Sequence, residues 1–155
     1  MKIFALLGIV LLAFAMLAPN LSEPETARDR SAAAIAMNYA LFREAVFYRV
    51  FVEGYKNDRT ISLSELDMPN AWIFLRQWRA RVEDGKCVVW GEAAEKEIRE
   101  VRRLFHGSLA VGRNENGRIW PWAQNPVPVP AFVPEGSLVT VVNARPNGTK
   151  RVHTS

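Results

Sequence analysis

Apolar positions along the chain fall into segments of different period, and each period names an element. Ile35, Tyr39, Phe42, Val46 and Val50 recur at steps of three and four, the spacing of one helix face. Leu41, Ala45 and Tyr48 broaden that stripe, while Arg43, Glu44, Arg49 and Glu53 mark the polar side. The pattern predicts a helix from Ser31 to Phe51, capped by Asp29 or Ser31 and packed against a sheet. Gly54 and the polar run Lys56 to Arg59 end it. Ser62-Leu63-Ser64-Glu65 has capping-box spacing, but Pro69 keeps that helix short. Ala71 to Val82 alternates through Trp72, Phe74, Arg76 and Trp78. It predicts a strand, turned at Glu83-Asp84-Gly85-Lys86 into a second strand, Cys87 to Trp90.

Glu92 to His106 reads as a second helix, with Ala94, Ile98, Val101 and Phe105 on one face and Glu95 paired to Arg99. Acids lead this helix, Arg102 and Arg103 close it, and Gly107 stands where a left-handed residue ends a helix. Leu109 to Gly112 and Arg118 to Trp120 flank Asn116-Gly117, a hairpin turn signal. Pro126-Val127-Pro128-Val129-Pro130 lacks three ladder donors and reads as an extended loop or edge. Ser137 to Val142 is a strand. The order helix, hairpin, helix, hairpin, strand predicts an α+β domain with a mostly antiparallel sheet and helices on one face.

Ahead of this domain the chain changes character. Lys2 precedes an unbroken apolar run from Ile3 to Ala18, closed by Pro19. As a helix the run spans about 24 Å, against about 30 Å of hydrocarbon. Ala13-Phe14-Ala15 has the form of a signal-peptidase site. Two readings follow: a cleaved signal peptide, or an uncleaved N-terminal anchor. Lys2 before the run and Glu23 and Glu25 after it orient the N-terminus to the cytoplasm. Either way, the bulk of the chain is expected in the periplasm. The organisation is therefore 1–19 signal or anchor, 20–30 linker, 31–144 periplasmic domain and 145–155 polar tail.

Charge and chemistry narrow the function. The net charge is +4, but 16 acids interleave with 20 bases, which describes a solvated mixed surface rather than a nucleic-acid footprint. The single cysteine, Cys87, cannot form an internal disulfide and sits in a strand-like run, where it reads as a buried inert thiol. Two histidines, His106 and His153, and one cysteine make no zinc site. His106-Gly107-Ser108 lacks triad geometry, and no phosphate-binding glycine loop is present. No enzyme, cofactor, metal or small-molecule substrate is expected. Contact chemistry is better supplied. Trp120, Pro121 and Trp122 run into Pro126, Pro128 and Pro130, and together they are the candidate partner-binding segment. The competing reading closes the sheet's open end with those tryptophans.

The second half of the chain resembles a known family. Trp90-Gly91 before an acidic helix, Ile98 to Ser108, Ala110-Val111-Gly112-Arg113 and Pro130 to Val139 look like the PilM family of type IVB conjugative thin pili. This is distinct from the actin-like pilus protein that shares the name, whose nucleotide loops are missing here. The resemblance implies an inner-membrane component of the thin-pilus assembly apparatus in plasmid conjugation, held by the N-terminal helix and contacting other pilus-assembly subunits. It carries over no active site and favours the anchor over the cleaved signal. A minor pilin is disfavoured, since Ala13 rather than Glu stands five residues past Gly8. The alternative is a cleaved, secreted periplasmic binding module or small enzyme unrelated to pili.

Overall fold

The structure, a computed structural model, describes residues 24–52, 58–69, 71–108, 110–120 and 125–144. The apolar run Ile3 to Ala18, Pro121, Trp122 and the tail from Arg145 lie outside the described residues. The chain divides into two units, Met1–Arg30 and Ser31–Ser155. In the first, the described residues 24–30 are helical. The second holds the sheets and the apolar core.

Helix α1 (Pro24–Phe47) begins at Pro24 rather than at Ser31, as the polar run had suggested. Proline is tolerated there because a first-turn residue needs no intrahelical N–H donor. The helix continues as a π-helical turn, Tyr48–Val52. Ile35, Tyr39, Phe42, Val46 and Val50 are all buried, so the predicted stripe is the core face. Of the residues that broaden the stripe, Ala45 packs partly buried against the core, but Leu41 is 50% exposed and Tyr48 53%.

Strands β1 (Arg59–Ile61), β2 (Arg79–Glu83), β3 (Lys86–Gly91), β4 (Val111–Arg113) and β7 (Leu138–Asn143) form one sheet in the order β1-β2-β3-β7-β4. Every pairing in it is antiparallel. β2 and β3 are joined by Asp84-Gly85, both at positive φ (49° and 68°), with Glu83 opposite Lys86. That is the primed two-residue turn whose twist suits a hairpin. Helix α2 (Glu95–Leu104) lies between β3 and β4 in sequence. A second small ribbon pairs β5 (Arg118–Ile119) with β6 (Val127–Pro128).

Each face of the sheet carries its own apolar cluster, because alternate residues of a strand point oppositely. Ala80, Val82, Cys87, Val89 and Leu138 meet α1 and the Ile98 and Val101 face of α2. Val88, Trp90, Val139 and Val141 meet Ile119, Val129 and Val133. Tyr39 crosses the first cluster. Its hydroxyl donates to the Val89 carbonyl at 3.1 Å and shares a 2.7 Å bond with Thr140 Oγ1. Burial pushes its phenol well above the usual range, with the Thr140 bond opposing. Two glycines permit these layers. A Cβ on Gly91 would lie 2.4 Å from the Trp78 ring, and one on Gly112 would lie 2.6 Å from Ile119 Cγ2.

Several expectations were corrected. The strand predicted from Ala71 starts only at Arg79. Residues 71–75 alternate in burial like a strand, but the partner of their backbone is a side chain: Asn38 binds the Ile73 carbonyl (2.8 Å) and the Leu75 N–H (3.3 Å). Strand β1 was not anticipated, since Arg59-Thr60-Ile61 is too short to show a period. Asn116-Gly117 does reverse the chain, with φ of 54° and 73°, through the bridge Glu115 to Arg118. The arms then part, β4 to β7 and β5 to β6. Ala94 caps α2 and is exposed instead of packing. Glu95 bonds Arg113 at 3.1 Å instead of Arg99. The left-handed residue after α2 is His106 (φ 51°), followed by Gly107 (φ 68°). Their N–H groups bond the Arg103 (3.1 Å) and Arg102 (2.8 Å) carbonyls, completing a Schellman motif.

Candidate partner-binding surface

Trp120 and residues 125–130 sit on the sheet face away from the helices. Ile119, at the end of β5, is buried against β3 and β7, so the chain emerges at Trp120, which is 53% exposed. On the return, Val129 is buried and its N–H bonds the Gly117 carbonyl at 2.9 Å. Pro128 lies opposite Arg118 and is exposed, while Pro126 and Pro130 are half-buried. The segment is thus an outer ribbon whose valines face inward. The prediction of an extended edge holds for Val127 and Pro128, and Trp120 does not close the sheet.

Polar bonds fix this ribbon. Buried Asn114 donates through Nδ2 to the Val133 (3.0 Å) and Pro134 (3.2 Å) carbonyls. Its backbone bonds Ser137 and Gly136. The Glu135 carboxylate accepts the Asn116 N–H at 2.9 and 3.0 Å. Phe132 packs on Trp90, ring centroids 5.1 Å apart, and Arg81 stacks over Phe132 at 4.9 Å. Both ends of the segment are therefore held, and an exposed indole on a fixed ribbon offers rigid apolar area at low entropic cost.

A second surface was missed by sequence reasoning. On the helix side, Leu41 and Ala45 of α1 and Tyr48 of the π-helical turn face Met68, Pro69 and Trp72 across an open groove of about 380 Å³. The far wall is held in place by three side chains. Asn38 accepts the Trp78 indole N–H at 2.8 Å as well as gripping Ile73 and Leu75. Arg76 makes a two-pronged pair with buried Glu97 (2.6 and 3.2 Å), whose carboxylate also accepts the Ala94 N–H at 2.8 Å. Glu65 pairs with Arg59 and accepts the Ser62 N–H at 3.0 Å. That backbone bond, ahead of its other partners, lowers the Glu65 pKa. Arg43 links the two helices, its guanidinium lying 4.1 Å from the Phe47 centroid and 4.5 Å from that of Phe105. The available signal was the wide stripe, whose extra members Leu41 and Tyr48 were assigned to the core.

Neither surface carries a reactive set. Among the described residues no group of His, Cys, Asp and Glu could hold a metal ion. Cys87 is buried and its thiol pushed up to about 12 by that burial, the opposite of an activated nucleophile. Among the described residues no helix is long and apolar enough to cross a membrane.

The family model for PilM matches residues 7–141. The chain belongs to the PilM family. Its structure is similar to the crystal structure of a protein assigned as PilM from Escherichia coli B7A, at TM-score 0.50 and 15% identity. That match covers 81% of this chain and 100% of the other, and at this identity it speaks for the fold. No curated protein matches the chain. PilM membership connects the chain to a pilus-related system, and within the quoted motifs Gly91 and Gly112 have a physical reason, the ring and methyl that pack over them.

Proposed function

We propose that this PilM chain is a non-enzymatic component of the thin-pilus assembly apparatus used in plasmid conjugation. It works through contacts with other pilus-assembly subunits. The observation that carries the reading is the family match over residues 7–141. In support, Trp120 stands out from a ribbon fixed at both ends. The domain lies in the periplasm, and the apolar run Ile3 to Ala18 holds it at the inner membrane with the N-terminus inside. The partner-binding segment is Trp120, Pro121, Trp122, Pro126, Pro128 and Pro130.

The test is complementation. A plasmid lacking this chain should lose thin pili, and the wild-type chain should restore them. Trp120→Ala should give a folded protein that restores none. Normal pili without the chain would overturn the reading, and normal pili with Trp120→Ala would move the interface elsewhere. A reporter active only in the periplasm, fused after Ser155, should be active. Cytoplasmic activity would sink the proposed topology.

A further inference from the structure

The groove between the α1 helix and residues 65–69 and 72 combines an apolar floor with an acidic rim. Its floor is Leu41, Ala45, Tyr48, Met68 and Trp72. The rim carries Glu44, Asp67 and the Arg59-paired Glu65, beside the guanidinium of Arg49. Among the described residues the Glu44 and Asp67 carboxylates accept no hydrogen bond and form no salt bridge, although Glu44 acts electrostatically on Arg43, and both line the groove beside half-exposed apolar side chains. Met37, 51% exposed, extends the apolar row one turn back along α1 from Leu41. From Met37 to Tyr48 the row is about 16 Å long.

We propose that this groove receives an amphipathic helix of another protein, apolar on one face and flanked by Lys or Arg. The assignment deepens the reading above, that the chain works by contact, and names the chemistry of a partner. The row follows a helix axis at i, i+4 and i+11, the arrangement that seats a second helix. An extended peptide would need a free ladder edge, and neither wall of the groove is a strand. An anionic lipid surface calls for basic side chains, whereas this rim is net acidic. A second copy of the chain fits poorly. Its own groove would bring the same Glu44 and Asp67 carboxylates against their equals, and the apolar face of its α2, Ile98 and Val101, is already buried. Opposite charge across the rim steers encounter and fixes register.

The probes are two synthetic amphipathic helices with the same leucine stripe, one flanked by Lys and one by Glu. Each is titrated into the purified full-length chain in non-ionic detergent. The wild type should bind the Lys peptide about tenfold tighter than the Glu peptide. Glu44→Lys with Asp67→Lys should reverse that preference. Leu41→Asp, at a half-exposed position, should weaken both peptides, and Met37→Asp serves as its replicate should the former unfold. Equal binding of both peptides, or a preference that survives the charge reversal, overturns the proposal. So does self-association abolished by Leu41→Asp, since a second copy would then fill the groove. No pili are involved, so failure here is distinct from failure of complementation.

Discussion

The indole N–H of Trp78 donates to Asn38 Oδ1 at 2.8 Å, joining the middle of α1 to the start of β2 across 40 residues of sequence. Both residues are buried. The same amide oxygen receives the Leu75 N–H and the amide nitrogen bonds the Ile73 carbonyl. One side chain therefore replaces the strand partner that residues 73–75 lack, and a buried backbone group without such a partner is costly.

Asn38→Ala should destabilise the domain by about 2–3 kcal/mol, because it strands a buried indole N–H and two backbone groups. Chemical denaturation measures it. Hydrogen exchange should show the Leu75 amide losing protection ahead of β3. A loss below about 0.5 kcal/mol would mean that water replaces the amide without cost.

Phe42 is 2% exposed and meets Phe74 edge-on at 5.9 Å. Phe42→Ala should cost about 3–5 kcal/mol, the usual penalty for emptying a buried aromatic site. Leu41→Ala, one residue along and half-exposed, should cost well under half as much. Equal losses would place the core on a different face of α1.

Cys87 should resist alkylation in the native state near pH 8 and react once the chain unfolds. The fold holds its thiol protonated, pushed up to about 12 by burial, while the unfolded thiol ionises near about 8.5. Between those values the unfolded state binds fewer protons, so stability must fall as pH rises through that window. Cys87→Ala should flatten part of this alkaline limb. Buried Tyr39, also raised, adds to the loss at still higher pH.

His106 holds φ at 51°, a conformation that costs a non-glycine residue about 1–2 kcal/mol. It is exposed, and its contribution to the α2 terminus is its backbone N–H. His106→Gly should therefore stabilise the domain, by about 0.5–1 kcal/mol after the added freedom of the unfolded chain is counted. A fall in melting temperature would show that the imidazole itself holds the terminus.

Much of this protein was legible in the sequence for local reasons. Helical period placed Ile35, Tyr39, Phe42, Val46 and Val50 on the core face, and Asp84-Gly85 and Asn116-Gly117 marked turns that need positive φ. The PilM motifs are likewise written residue by residue. Pairing was decided only in three dimensions. Nothing near Arg113 says that β4 joins β7 and leaves its own hairpin arm, because ladder partners are chosen by burial on both faces at once. Nor could spacing separate Leu41 from Phe42. Each lies on the wide stripe of α1, and its surroundings depend on the segment folded over it: Phe42 meets Phe74 in the stretch that Asn38 holds, while Leu41 opens on the groove opposite Met68 and Trp72. Period gives the face of a helix; the neighbours that cover it are set by tertiary packing.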